Sequence, residues 1–124
     1  MAAHKVTLSI DQGATFRKSL IWRAGPTAES AEPVDLTDCS ALAHVRSEVD
    51  SDEVLLTLSS AGDGDGLITL GDETGEILIE IDAQTTASID WDSAVYDLEI
   101  TFPDGTVVRR MAGTVKVSKE VTRG

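Results

Sequence analysis

The chain has 124 residues, the length of one ordinary domain, and carries 22 carboxylates against 10 lysines and arginines for a formal charge of −12. Such a field repels phosphate, which argues against nucleic-acid or anionic-membrane partners, and no apolar run approaches the roughly 20 residues of a membrane span. The lone Cys39 has no internal disulfide partner, and the N-terminus lacks the apolar core of a signal peptide, so synthesis and use in a cytoplasm are expected.

Period-2 alternation, the mark of half-buried strands, runs through most of the chain. Val6, Leu8 and Ile10 alternate with Lys5, Thr7 and Ser9. After an Asp11-Gln12-Gly13 turn, Phe16, Leu20 and Trp22 face one way and Arg17, Ser19 and Arg23 the other. Gly25 to Pro33 reads as a loop, followed by strand positions Ala41, Ala43, Val45 and Val49 and a short apolar piece at Val54–Leu58. A turn rich in glycine and aspartate, Ser59–Gly66, leads to Leu67–Leu70 and then to the alternating Ile77, Ile79 and Ile81. Only Asp82–Ile89 has helical character. Tyr96, Leu98, Ile100 and Phe102 make the cleanest strand, and Pro103-Asp104-Gly105-Thr106 is a strong hairpin turn. The return strand offers Val107, Met111, Val115 and Val117 on one face, with Gly113 as a candidate bulge.

Short strands with turn signals every ~8–12 residues predict an all-β sandwich or barrel in one domain over residues 1–124. Asp92-Ser93-Ala94-Val95-Tyr96 sharpens this, because it matches the Asp-x-Ala-x-Tyr pattern of a tyrosine corner. There, a tyrosine early in strand F hydrogen-bonds the backbone just upstream. The layout agrees with an immunoglobulin-like β-sandwich of about seven strands. Glu76–Asp82 would be strand E, a short helix at Ala83–Ile89 the E–F crossover, and Ala94–Phe102 strand F, closing an F–G hairpin with Thr106–Ser118. Asp92, Ala94 and Tyr96 are then structural residues. The alternative is an ordinary strand tyrosine whose hydroxyl meets water.

Residues for catalysis are sparse. His4 and His44 lie on different predicted strands, and no nucleophile elbow, phosphate loop or zinc helix occurs. Asp63-Gly64-Asp65-Gly66 suggests calcium, but counting from Asp63 the EF-hand positions 5 and 12 fall on Leu67 and Thr74, so that loop fails. Asp90 and Asp92 are a chance pair in an acidic chain. The expectation is no enzyme, no metal and no cofactor.

The second half resembles a family of small phage virion proteins. A Gly-x-Ile-x-Ile strand (Gly75 to Ile79) precedes the Thr-rich crossover Thr85-Thr86-Ala87, and Tyr-Asp-Leu-Glu (Tyr96 to Glu99) follows. After the Asp-Gly turn come Arg-Arg-Met-x-Gly (Arg109 to Gly113) and a Val-x-Val-Ser-x-Glu-Val-Thr-Arg tail (Val115 to Arg123). Asp35-Leu36-Thr37 and Val45-Arg46 fit the same layout. The chain is similar to the immunoglobulin-like domain of siphophage tail collar proteins and upper-baseplate N-termini. That resemblance implies a structural virion protein, made in the host cytoplasm, that packs around a tail, collar, neck or baseplate, often in rings. Its stop at Gly124 favours a stand-alone collar, neck or tail-decorating role. Capsid decoration, or glycan adhesion through Trp22 or Trp91, is the competing expectation.

Charge placement suggests where contacts form. Thr106–Gly124 holds Arg109, Arg110, Lys116, Lys119 and Arg123 against Glu120, a net +4 that leaves −16 on the rest of the chain. This predicts a head-to-tail contact between the basic last strand and an acidic surface of another copy or a neighbouring tail protein.

Overall fold

The alternating segments become strands distributed along the chain. The computed structural model describes residues 3–122. Its first elements are β1 (His4–Lys5), β2 (Leu8–Asp11), β3 (Phe16–Ile21), β4 (Arg23–Ala24) and β5 (Glu32–Pro33). Then follow β6 (Ser40–Arg46), β7 (Leu56–Ser59), β8 (Gly66–Leu70), a 3₁₀ turn at Asp72–Thr74 and β9 (Glu76–Ile81). The helix α1 (Ala83–Ala87), β10 (Ser93–Thr101) and β11 (Val107–Ser118) complete the order.

Nine strands form one curled mixed sheet in the order β1-β11-β10-β6-β7-β8-β9-β3, with β2 also paired to β11. One layer is β3, β9 and β8; the other is β6, β10 and β11. A short parallel contact between β7 and β8 joins them at one side. This is the predicted all-β, sandwich-like fold. Ile77, Ile79 and Ile81 from β9 meet Leu98 and Ile100 from β10 and Leu8 and Ile10 from β2, all essentially buried. Each such side chain contributes about 1.5–3 kcal/mol through its removal from water.

The predicted E–F crossover is present and shorter than the Asp82–Ile89 pattern. Asp82 caps α1, its carboxylate accepting the Thr85 N–H at 2.8 Å. Hydrogen bonds from the Thr85 side chain and backbone hold the Asp82 carboxyl below its ordinary pKa. The Asp104 turn also forms, with Gly105 at φ +91° and its N–H donated to Phe102.

Three departures matter. The Gly25–Pro33 loop is clamped by a small ribbon, β4 with β5. The first predicted strand breaks at Val6-Thr7 into β1 and β2, both parallel to β11. Most consequentially, β10 and β11 slip register: Leu98 pairs with Met111 but Glu99 with Arg109, which leaves Arg110 as the extra residue of a bulge. The bulge therefore sits at Arg110, not Gly113. It reverses the alternation, so Val107 is 54% exposed and Val108 packs against the core instead. The expectation that Val107 shares the buried face of Met111 and Val115 is corrected accordingly.

Candidate interaction surface

The bulge divides the basic residues of the last strand into different environments. Arg109 points outward, its Nε 3.5 Å from Asp97, and Lys119 lies 3.6 Å from Asp92. Lys116 is exposed on the outer face of β11, and Arg123 lies outside the described residues. Arg110 instead turns back over the Trp22 ring, 5.0 Å from its centroid. Trp22 is 5% exposed and meets Phe102 edge-on at 5.9 Å. Burial lowers the Arg110 pKa. Arg110 thus closes the end of the core, while Arg109 and Lys119 are partly neutralised within the chain.

Two substitutions separate these roles. Arg110→Glu should cost about 1–3 kcal/mol, because a cation–π contact is lost and a carboxylate is set against the ring face. Arg109→Glu should cost less than about 1 kcal/mol, since exposed ion pairs contribute little. Urea unfolding of the two variants checks this, and equal losses would show that the Trp22 contact carries no weight.

Tyr96 also differs from expectation. Its hydroxyl donates to the Val6 carbonyl at 2.7 Å, not to the backbone just upstream, so no tyrosine corner forms. The cause is its cross-strand neighbour: Tyr96 stands opposite Gly113, and a Cβ there would lie 2.3 Å from the Val6 oxygen. With no side chain at 113, the ring crosses β11 and reaches the break between β1 and β2. Ala94 is buried, and the Asp92 carbonyl accepts the Val117 N–H at 2.8 Å.

Burial pushes the Tyr96 pKa up to about 12 from an ordinary value of 10. A raised folded-state pKa means stability present below pH 10 and lost as pH rises through about 12. Tyr96→Phe should cost about 1–2 kcal/mol at neutral pH, leaving the Val6 carbonyl without its donor. It should also flatten the alkaline limb of stability against pH. An unchanged alkaline limb would place the titration elsewhere.

The acidic candidates are used structurally. Asp63 accepts the Ser59 hydroxyl at 2.7 Å, and Asp65 accepts the Thr57 N–H at 2.8 Å, stitching the glycine turn to β7. Among the described residues no three histidine, cysteine, aspartate or glutamate side chains gather to hold a metal. His4 is exposed, and His44 faces Arg46 at 3.5 Å. Cys39 is half-buried, and burial together with Asp35, Asp38 and Asp104 raises its thiol pKa, which disfavours the nucleophilic thiolate. Trp22 belongs to the core, so only the half-buried Trp91 is placed to meet a sugar ring.

Sequence reasoning missed Thr86, which is fully buried. Its hydroxyl donates to Ala14 at 2.8 Å and accepts the Gly13 N–H at 3.1 Å, locking α1 onto the β2–β3 turn. A polar residue one turn beyond an aspartate cap was the available signal. Sequence reasoning also missed the sheet's open seam. β2 and β3 are consecutive but do not pair, and a polar groove of about 300 Å³ runs between them, lined by Ser9, Asp11, Arg17 and Lys18 among others. No protein-family model matches the chain, and no match was found among curated proteins.

Proposed function

We propose that this domain is a non-catalytic structural protein of a tailed bacteriophage virion, packing by protein–protein contacts around the tail, collar, neck or baseplate. The observation that carries the reading is the outer surface. Ile21, Leu42, Leu67 and Val107 stand exposed on the outer sheet faces. Among the described residues no buried side-chain polar atom lacks a partner. The interior is thus settled, and the outer faces offer aliphatic contact area rimmed by charge, as protein interfaces do.

The phage assignment draws on the motif row, whose members fall on successive elements: Gly75–Ile79 at the start of β9, Thr85–Ala87 in α1, Tyr96–Glu99 in β10 and Arg109–Gly113 in β11. Partners are other copies and neighbouring tail, neck or baseplate proteins, with the virion as the location. Capsid decoration uses the same kind of surface and is the second reading. Gold-labelled antiserum on purified particles distinguishes them. Label on tail or neck supports the first reading, and label on heads the second. Particles that stay unlabelled both intact and disrupted would overturn both.

A further inference from the structure

Charge is also segregated along the chain outside the last strand. Residues 12–28 contain Arg17, Lys18 and Arg23 and no acid, whereas residues 47–53 contain Glu48, Asp50, Asp52 and Glu53 and no base. The first stretch includes β3, which among the described residues pairs only with β9 and presents its other edge without a strand partner. The second is the exposed β6–β7 loop, held in shape at its base by Arg46, which donates to the Ser51 carbonyl at 2.9 Å.

Each charged element has an apolar companion. On the outer face beside the β3 edge, Leu78 stands opposite Ser19 and Thr69, with Ile21 and Leu67 at its diagonals. These three form an aliphatic stripe in which Ile21 is 49% exposed. The acidic loop displays Val49, 82% exposed, amid its carboxylates. On the edge itself the Arg17 side chain is 71% exposed, paired on one side with Glu80 at 3.0 Å, and Lys18 lines the groove towards β2. A lysine turned towards the groove on an edge strand discourages indiscriminate β-pairing and favours a partner that brings carboxylates.

We propose that the β3 edge of one copy receives the acidic loop Ser47–Glu53 of a second copy, with Val49 on the Ile21–Leu78 stripe and the loop carboxylates at Arg17 and Lys18. The loop lies between strands in the middle of the sheet order and β3 at its end, so the two surfaces are distinct and the contact is head to tail. This deepens the assembly role proposed above and rests on it. It also moves the basic half of the contact from the last strand to β3.

Two variants test the pairing by sedimentation velocity at low salt. An edge variant carries Arg17→Glu and Lys18→Glu; a loop variant carries Glu48→Lys, Asp50→Lys and Asp52→Lys. Wild type should associate with rising concentration, and association should weaken as salt shortens the Debye length. Each variant alone should associate at least about tenfold more weakly. An equimolar mixture should recover association, because the intact edge of one variant meets the intact loop of the other and the two reversed surfaces are again opposite in charge. Circular dichroism establishes that the variants fold, and Arg17→Gln with Lys18→Gln replaces the edge variant if it does not. Wild type that stays monomeric at millimolar concentration overturns this inference, as do variants that associate like wild type or a mixture that stays monomeric. None of these outcomes touches the virion assignment, which particle labelling decides separately.

Discussion

Thr86→Val should destabilise the domain by about 2–4 kcal/mol, although the two side chains have nearly the same shape. Valine leaves no cavity, so the loss isolates the hydroxyl. That hydroxyl has one hydrogen to donate, with the Ala14 carbonyl nearer at 2.8 Å and the Ala83 carbonyl at 3.1 Å, and its oxygen accepts the Gly13 N–H at 3.1 Å. The residue is fully buried, so water cannot replace these bonds. Gly13 and Ala14 would lose partners in the turn that starts β3, at a cost of about 1–3 kcal/mol for each group left unpaired. Thr86→Ser, which keeps the hydroxyl and loses a methyl, should cost about 1 kcal/mol. Urea unfolding of the pair measures the difference. If valine were as well tolerated as serine, the crossover would be held by packing alone.

Gly113→Ala is expected to cost about 2–3 kcal/mol and to loosen the N-terminal strands first. The new Cβ would lie 2.3 Å from the Val6 oxygen, which is backbone and cannot swing aside as a flexible side chain would. Val6 is also tied by its own N–H to the Ala112 carbonyl at 3.0 Å and by its carbonyl to Tyr96 at 2.7 Å. Displacing it strains both bonds. Amide exchange should accelerate across His4–Ile10 while β9 and β10 keep their protection. The Gly113→Ala and Tyr96→Phe losses should also fail to add, because both act through Val6. Additive losses with unchanged exchange in the first strands would mean that β11 shifts and Val6 stays.

The parts of the fold legible in the sequence are those encoded by local periodicity. Ile77, Ile79 and Ile81 alternate with Leu78 and Glu80, and the burial of β9 follows residue by residue. The Asp104-Gly105 turn is likewise local and forms where expected, and the short helix falls within the Asp82–Ile89 segment. The bulge is different in kind. Nothing in Val107-Val108-Arg109-Arg110 marks which residue is extra, because that is decided by how β10 pairs on one side and by the Trp22 face available on the other. The Tyr96 partner was hidden for a related reason, since it depends on a glycine in the adjacent strand and a carbonyl ninety residues away. The basic last strand was visible as composition, but the pairing of Arg109 with Asp97 and Lys119 with Asp92, and the seat of Arg110 on Trp22, depend on three-dimensional neighbours. The unpaired edge of β3 is a property of the sheet order, which no single segment carries.

The most direct measurement is the composition of purified particles from cells that carry the gene, by quantitative mass spectrometry after heads and tails are separated. The account predicts the protein in several copies per particle, at a fixed ratio to a major tail protein in the tail fraction. Recovery only from the particle-free lysate, or in amounts that vary between preparations, would contradict it.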